Sequence, residues 1–346
     1  MNTRKPRTSS LAGAAMPGRR AVILTPLAGM AFPVRRATAA VLPAVRLGVL
    51  QFGTVQWVAD VIRRHGLDAA NGFTLVTTPL ANTDAGRVAI MAGQTDVVVS
   101  DWPFVAVQRA AGTRLCFAPF STSTGGIMTP ADSPIRTFVD IKGRRLGVVG
   151  GPTDKSWLVV QAAARMRDRF DLAAETQVSY GAPPLLGAKL MQGELDALLT
   201  FWNFAAKLEA AGYRQAIPVG ECATALGLPA QLNLVGFVFH EEWAVGAPAA
   251  IDGFIAAVTE AERILTTSPA EWDAIRPLMQ APEDALFARL RDRFTSGVVL
   301  HTDVATEEQD ASRLLSILNQ VGGTRGTGGL ETLPPGVFWR AGHGAG

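Results

Sequence analysis

Residues 90–102 read IMAGQTDVVVSDW, and residues 190–202 read LMQGELDALLTFW. The two stretches share a methionine, a glycine, an aspartate, a hydroxyl residue and a tryptophan at a constant offset of 100 residues. A second pair lies upstream, LGVLQFGT at 47–54 and LGVVGGPT at 146–153, at an offset of 99. Two similar pairs in the same order and at nearly the same spacing indicate a duplicated plan.

Each half of the chain predicts the same order of strands and helices. A short apolar run, Val45 to Leu50 or Arg145 to Val149, leads into a turn and a helical pattern. A second strand and a helix ending at Gly93 or Gly193 follow, and a third strand then delivers a polar and aromatic loop. This alternation predicts an α/β fold with two mostly parallel sheets flanked by helices. Because ligands bind beyond the carboxyl ends of such strands, the equivalent loops predict a cleft between two lobes.

Composition narrows the possible functions. The 346 residues suffice for two domains, and 48% hydrophobic with 18% charged residues fits a compact soluble protein. The first 39 residues hold seven of the 32 basic residues and no acidic one, so 25 basic and 30 acidic residues remain. No basic stripe is left, and no nucleic-acid partner is expected. Two buried free thiols, Cys116 and Cys222, are favoured over a disulfide.

The N-terminus predicts an export signal over residues 1–39. Paired arginines at 19–20 precede an apolar stretch at 21–34, and Ala37-Thr38-Ala39 has the small-x-small pattern of a cleavage site. The arginines, with a further pair at 35–36, favour the twin-arginine route. The apolar stretch is too short to span a bilayer. We therefore expect a periplasmic protein whose leader is cleaved.

The predicted domains follow the duplicated plan. Lobe 1 is assigned residues 40–130 plus 232–322, lobe 2 residues 131–231, and a loose C-terminal tail residues 323–346. The segments that connect the lobes are predicted at Thr124 to Pro130 and Asn233 to His240.

The duplicated stretches and their flanks resemble a known family. VRLGVL, AIMAGQTDVVVSD, SPIRTFVDIKGRRLGVVGGPTDKSWLVV and LMQGELDALLTFWNFAAKLEAAG are similar to periplasmic solute-binding proteins of the nitrate, sulfonate and taurine class of ABC importers, and to related pyrimidine-precursor binders. The resemblance covers Val45 to Val321 and is most specific at Ser133 to Gly151. It implies the type II periplasmic-binding-protein fold, hinge closure on a small-molecule ligand, and delivery to an ABC permease and its ATPase in the inner membrane. We expect a monomer.

By position, the resemblance implies a ligand pocket at the loops that follow the strands. Helix N-termini after Thr54 and Thr153 would expose unpaired N–H groups there and form an anion site, although a plain N-cap is the alternative. The predicted ligand-binding residues are Phe52, Gly53, Thr54, Ser100, Asp101, Trp102, Ser121, Thr122, Ser123, Thr153, Asp154, Lys155, Ser156, Tyr180, Phe201, Trp202, Asn203 and Asn233.

Four tryptophans occupy repeat-equivalent positions. Trp57 and Trp157 lie inside helical patterns, which favours the lobe cores, whereas Trp102 and Trp202 follow strands, which favours the cleft. Stacking on the latter pair would suit a planar or apolar ligand body.

Two acids lie in the same loops and leave the ligand class open. Asp101 and Asp154 would hold an amine or a positively charged ring, or else pair with Lys155 or cap helices. An organic sulfonate or carboxylate and a nitrogenous ring compound both remain candidates.

Enzymatic readings find little support in the sequence. No G-x-S-x-G or G-x-G-x-x-G motif occurs, and the histidines are scattered, so no catalytic residue, metal or cofactor is predicted. The leading alternatives are an enzyme on the same fold with a pyrimidine-synthesis-like activity, for which Lys155 or a carboxylate would be the reactive group, and a solute sensor that presents its ligand to a membrane receptor. The histidines are His65, His240, His301 and His343.

Overall fold

The computed structural model describes residues 42–51, 53–301, 303–322 and 327–340. The export signal predicted for residues 1–39 lies outside these residues, as does the predicted ligand contact Phe52. In chain order the strands are β1 (Ala44–Leu50), β2 (Thr74–Leu80), β3 (Val97–Asp101), β4 (Leu115–Ser121), β5 (Gly126–Thr129), β6 (Arg145–Val149), β7 (Gln177–Gly181), β8 (Ala197–Thr200), β9 (Arg214–Pro218) and β10 (Val235–His240).

Helices separate most of the strands. A short 3-10 helix at Val139–Ile141 precedes β6. The α-helices are α1 (Val55–Arg64), α2 (Leu67–Ala70), α3 (Thr83–Met91), α4 (Trp102–Ala110), α5 (Lys155–Asp168), α6 (Leu172–Glu175), α7 (Pro183–Met191), α8 (Trp202–Ala210), α9 (Val219–Ala225), α10 (Glu241–Gly246), α11 (Pro248–Thr267), α12 (Pro269–Met279), α13 (Asp284–Thr295) and α14 (Val304–Gly322). Among the described residues no helix is long and apolar enough to cross a membrane.

The strands form two five-stranded sheets with the same topology. The first has the order β2-β1-β3-β10-β4 and the second the order β7-β6-β8-β5-β9. In each sheet the first three strands are parallel, and the fourth strand runs antiparallel to both of its neighbours. The duplicated plan predicted from sequence therefore corresponds to two equivalent sheets, one in each lobe.

Each antiparallel strand is contributed by a segment that has just crossed from the other lobe. The first connector, residues 122–125, leads from β4 in the first sheet to β5 in the second, and the second connector, residues 226–234, leads back to β10. β5 thus lies in the second lobe, although its residues were assigned to lobe 1 and to the connecting segment. The crossing falls before Gly126 rather than at residue 130, because GIMT pairs with β8 and β9.

The repeated aspartate fixes the same strand pair in both lobes. Asp96 accepts hydrogen bonds from the backbone N–H and the guanidinium of Arg46, at 2.6–3.0 Å. Asp196 binds Arg145 in the same way, at 2.8–3.1 Å. Each aspartate directly precedes the third strand of its half, so the ion pair ties the start of the first strand to the start of the third. The repeated aspartate is therefore a structural residue.

The C-terminal helices are shared between the lobes. α11 and α12 pack against α1 in the first lobe, where Trp57, Trp272 and Phe294 form one aromatic cluster. α14 packs instead against α5 of the second lobe. The assignment of residues 232–322 to lobe 1 thus does not hold for α14, because the apolar stripe of this helix, which includes Leu314 and Leu315, joins the core around α5.

The tail that was predicted to be loose is partly an ordered edge segment. Phe117 in β4 donates its N–H to Val337 O at 2.7 Å, and Trp339 donates to Phe117 O at 2.8 Å. Val337, Phe338 and Trp339 are buried, and the Phe338 ring meets the Phe117 ring edge to face. This apolar triplet covers the open edge of the first sheet, which is why it is held in place despite the glycine-rich sequence around it.

Candidate ligand site between the lobes

Four of the helices follow the first and third strands of the two halves, two in each lobe. α1 follows β1 and α4 follows β3 in the first lobe, while α5 follows β6 and α8 follows β8 in the second. The first N–H groups of a helix have no partner inside the helix, so these ends are the places where polar groups can be recognised.

Two of these helix ends are closed by acids. Asp101 Oδ1 accepts the N–H of Phe104 at 3.0 Å at the start of α4. Asp154 Oδ1 accepts the N–H groups of Ser156 at 2.9 Å and Trp157 at 3.2 Å at the start of α5. Capping was one of the alternatives left open for both acids, and it is the role they have in this structure.

The other two helix ends lack a side-chain cap. Thr54 precedes α1 with helical backbone angles, and its hydroxyl makes no capping bond. Phe201 precedes α8 with extended backbone angles, and its side chain carries no acceptor. The first-turn N–H groups of α1 and α8 therefore have no side-chain acceptor, in contrast to those of α4 and α5.

The charge of Asp101 is balanced inside the first lobe. Arg87 in α3 donates Nη2 to Asp101 Oδ2 at 2.8 Å, and its Nε lies 3.3 Å from Ser100 Oγ. Ser100, Asp101 and Trp102 are all buried. With one oxygen on the cap and the other on Arg87, Asp101 is poorly placed to hold a cationic ligand.

Lys155 lies at the start of α5 and faces α8. Its Nζ is 3.6 Å from Asp154 Oδ2 and 5.4 Å from the centre of the Phe201 ring. The side chain is only 13% exposed, so the cation is held between its own cap residue and an aromatic face. Of the neighbouring predicted residues, Ser156 is buried and Thr153 is exposed.

A pocket between the lobes brings the two uncapped helix ends together. We call it the interlobe pocket. Its volume is about 20 Å³, which holds a single water-sized group, so an organic ligand would require the lobes to separate. Beside it, the rings of Trp57 and Trp202 meet edge to face with their centres 6.1 Å apart. The lining residues are Gln51, Gly53, Gln56, Trp57, Asn203, Lys207, Leu278, Met279, Gln280 and Leu290.

Lys207 is the charged residue in the lining of the interlobe pocket, and it was not among the ligand residues predicted from the sequence. It lies one helical turn after Asn203 on α8, with Nζ 5.3 Å from the centre of the Phe204 ring. Partial burial lowers the pKa of its ammonium group. Helical spacing could have revealed it, because residues four apart on a helix share one face and Asn203 was already a predicted contact.

The hydroxyl residues Ser121, Thr122 and Ser123 lie where β4 passes into the first connector, and the last two are bound to the end of α13. Ser123 Oγ donates to Arg293 O at 3.0 Å, and the Thr122 N–H donates to Gly297 O at 2.9 Å. Ser121 Oγ accepts the N–H of Ser123 at 3.1 Å. These three predicted ligand residues therefore already have partners within the protein.

The remaining predicted residues lie apart from the interlobe pocket. Tyr180 is the last residue but one of β7 and is 44% exposed. Asn233 in the second connector donates Nδ2 to Glu307 Oε1 in α14, and both residues line a second small pocket with Trp102. Burial raises the pKa of the Glu307 carboxyl. Of the predicted ligand residues that the structure describes, Gly53, Trp202 and Asn203 lie at or beside the interlobe pocket, and the others do not line it.

Neither cysteine is placed for chemistry in either pocket. Cys116 lies in β4 and Cys222 in α9, both as buried free thiols. Burial raises the pKa of each thiol to about 12, so neither is a thiolate near neutral pH. Within the described residues, no cluster of three or more potential metal ligands occurs.

A family model described as "NMT1/THI5 like" matches residues 65–272, which is more than half of the chain. The chain belongs to the NMT1/THI5-like family. This membership agrees with the resemblance seen in the duplicated stretches. A comparison of this family member with curated protein sequences finds no significant match.

Solved structures match this family member over most of its length. The alkanesulfonate-binding protein SsuA from Xanthomonas axonopodis pv. citri, bound to MOPS, is 16% identical and has a TM-score of 0.68, over 88% of this chain and 100% of that one. The periplasmic aliphatic sulphonate binding protein SsuA from Escherichia coli is 17% identical with a TM-score of 0.68, over 86% and 92%.

The periplasmic nitrate-binding protein NrtA from Synechocystis PCC 6803 is a more distant structural neighbour. It is 14% identical with a TM-score of 0.54, over 72% of this chain and 69% of that one. At such identities these likenesses establish the fold. The predicted two-lobed type II periplasmic-binding-protein fold is confirmed.

Proposed function

We propose that this protein is the solute-binding component of an ABC uptake system. It captures a small organic solute between its lobes by hinge closure and delivers it to a permease in the inner membrane. The observation that carries the proposal is the interlobe pocket, because Gly53, Gln56 and Trp57 reach it from one lobe and Asn203 and Lys207 from the other. A solute bound there contacts both lobes and so stabilises their closed arrangement.

The connections between the lobes support hinge closure. Within the described residues the chain crosses between the sheets in two short connectors, residues 122–125 and 226–234. Separation of the lobes would change backbone torsions in these connectors and in the segments on either side of α14, which packs on the second lobe between elements of the first. The faces that part include the edge-to-face pair Trp57 and Trp202 and the ion pairs from Glu209 in α8 to Arg289 and Arg293 in α13, at 3.3 and 2.5 Å.

The solved structures of the same fold support a transport role. Two of them are named as sulfonate-binding proteins and one as a nitrate-binding protein, all periplasmic or bound to a sulfonate buffer in their descriptions. Because two of these proteins are named as periplasmic, we propose the periplasm for this protein too, reached through the leader predicted at residues 1–39.

Native mass spectrometry of the freshly purified protein, followed by small-angle scattering with each identified or added solute, tests the proposal. We expect a retained small molecule of unchanged mass and a smaller radius of gyration when it is restored to stripped protein. An unchanged radius at saturation would contradict hinge closure. Recovery of a chemically altered solute would instead support an enzyme on this fold.

A further inference from the structure

Lys207 is set apart from the other lysines by its surroundings. Lys142 pairs with Glu175 at 2.8 Å, Lys189 with Glu194 at 2.5 Å, and Lys155 lies 3.6 Å from its own cap residue. Among the lysines that the structure describes, Lys207 alone has no carboxylate within ion-pair distance. A partly buried ammonium group that lacks a counter-ion costs free energy unless an anion arrives to balance it.

The residues that line the interlobe pocket include no acid that could be the counter-ion of Lys207. Its lining consists of amides, a glycine and apolar side chains besides Lys207. The nearest acid on the same helix, Glu209, is held by two arginines of α13, Arg289 and Arg293. The surroundings of the pocket therefore carry a net positive charge that an anionic ligand would complement.

The start of α8 adds unpaired polar groups to this charge. The helix lacks a side-chain cap, so its first N–H groups and its dipole favour a negative group. Thr200, one residue before the Phe201 N-cap position, is 2% exposed, and its Oγ1 has no hydrogen-bond partner among the described residues. These features belong to the same turn of chain that presents Asn203 and, one turn on, Lys207.

Apolar side chains of α12 and α13 line part of the pocket, beside the amide of Gln280. Met279 and Leu290 are buried, and Leu278 is 39% exposed at the pocket mouth. Trp57 adds an aromatic side chain to the lining. A ligand that places charge on Lys207 would therefore lay a hydrocarbon or aromatic body against α12 and α13.

We propose that the solute is an organic anion with an apolar body, whose sulfonate or carboxylate group binds Lys207 and the first turn of α8 in the interlobe pocket. This rests on the proposed function and deepens it, because it chooses the anionic class over the nitrogenous ring compounds. Lys207 is the residue that distinguishes the anion from a neutral solute of the same shape.

Isothermal titration calorimetry on the full chain tests the assignment with a defined panel. The panel contains butanesulfonate, benzenesulfonate, hexanoate and benzoate as anions, with butanesulfonamide and benzenesulfonamide as neutral counterparts and nitrate as an anion without a body. We expect at least one organic anion to bind about tenfold or more tightly than both its neutral counterpart and nitrate.

Two lysine variants separate the site from general electrostatics. Lys207→Met should weaken binding of the preferred anion about tenfold or more while leaving the neutral counterpart unchanged. Lys189→Met, at a partly exposed lysine of α7 in the same lobe that pairs with Glu194, should bind the anion as the unaltered protein does. Thermal unfolding of Lys207→Met should show a folded protein, because the substitution removes a partly buried charge and keeps the apolar stem.

Each other outcome overturns the proposal in a recognisable way. Equal affinity for anion and neutral counterpart, or full affinity in Lys207→Met, removes Lys207 from recognition. Binding and compaction with a neutral or cationic solute, when no organic anion binds, overturns the anion assignment and leaves the proposed function standing. Absence of binding and compaction with every solute, including those identified by mass spectrometry, overturns both.

Discussion

In the first lobe α4 is capped by Asp101 and α1 lacks a side-chain cap, whereas in the second lobe α5 is capped by Asp154 and α8 lacks one. The lobes otherwise repeat each other closely, with the same strand order and the same arginine–aspartate pair. The repeated parts are those that hold a sheet together. The parts that differ are the junctions between strands and helices. The helices without a side-chain cap, α1 and α8, both contribute residues to the interlobe pocket.

This contrast shows how a duplicated fold can acquire a site with one orientation. Two identical halves would present the same chemical groups twice, and a ligand with a charged end and an apolar end would gain nothing from that symmetry. Here the second lobe supplies Lys207 to the pocket, while the first lobe and its C-terminal helices supply Trp57, Met279 and Leu290. The difference between the lobes is therefore the chemical basis of the proposed selectivity.

The largest expected effect concerns β4, the edge strand of the first sheet, which residues 337–339 cover. The equivalent edge strand of the second sheet is β9. Phe338→Ala removes a ring that is 2% exposed and packed edge to face on Phe117, and it should lower the free energy of unfolding by about 3–5 kcal/mol. Urea unfolding followed by circular dichroism measures the loss. Thr332→Ala, at an exposed position of the same segment, is the control and should change the midpoint little. Equal, small effects of both substitutions would mean that this segment does not stabilise the lobe.

The repeated ion pair allows a direct comparison of the lobes. The Asp96 side chain is 10% exposed and that of Asp196 is 27% exposed. Asp96→Ala should therefore lower the free energy of unfolding by about 2–3 kcal/mol and Asp196→Ala by about 1 kcal/mol. Both substitutions remove the partner of an arginine and a backbone N–H, but the site of Asp96 is more buried than that of Asp196. Urea midpoints of the two variants give the ranking, and the reverse order would contradict burial as the deciding factor.

Acidification sharpens the same comparison in the second lobe. The hydrogen bond from Arg145 lowers the pKa of Asp196, so the folded state binds a proton less readily than the unfolded chain. The stabilisation is present above the unfolded pKa and is lost as the pH falls through the folded value. Consequently, Asp196→Ala should differ from the unaltered protein at neutral pH and converge with it in acid.

The parts that the sequence predicted correctly are those set by local patterns. The offset of 100 residues predicted two equivalent lobes, and the apolar runs and Gly93 and Gly193 predicted where strands and helices lie. The position of the first crossing was missed because β5 has only four residues, and its strand character comes from partners in β8 and β9. The ordered tail was missed because glycines surround the triplet that packs on β4.

The candidate site was predicted less well for a related reason. The sequence shows which loops follow strands, but a side chain's partner often comes from another element. Arg87 lies 14 residues before Asp101 and neutralises it, and the backbone of α13 engages Ser123 across 170 residues. Lys207 is distinguished by a missing partner, which only a three-dimensional arrangement can show.

Making the two lobes more alike should weaken the preferred anion. Phe201→Asp places a carboxylate at the start of α8, as Asp101 does at α4, and the backbone there is already extended as a cap requires. We expect the affinity for the preferred organic anion to fall by about 1 kcal/mol, or roughly fivefold. Phe201→Asn supplies a cap of similar strength without charge, so the difference between the two variants measures the electrostatic part. Calorimetry that finds equal affinities in Asp and Asn variants would contradict an anion bound at this helix end.

The smallest expected effect is the pH dependence of anion affinity, which Lys207 causes from the second-lobe side of the interlobe pocket. Burial lowers the pKa of Lys207, so its positive charge is lost at a lower pH than that of an exposed lysine as the pH rises. Binding of the anion should weaken over this range as the ammonium group of Lys207 loses its proton. Lys207→Arg keeps its charge throughout because a guanidinium does not lose its proton in this range, so its affinity should be flat with pH. The first lobe offers no equivalent cation in the pocket lining, because Arg87 is already bound to Asp101. If the affinity of the arginine variant declined with pH in parallel with that of the unaltered protein, the titrating group would therefore lie outside the pocket.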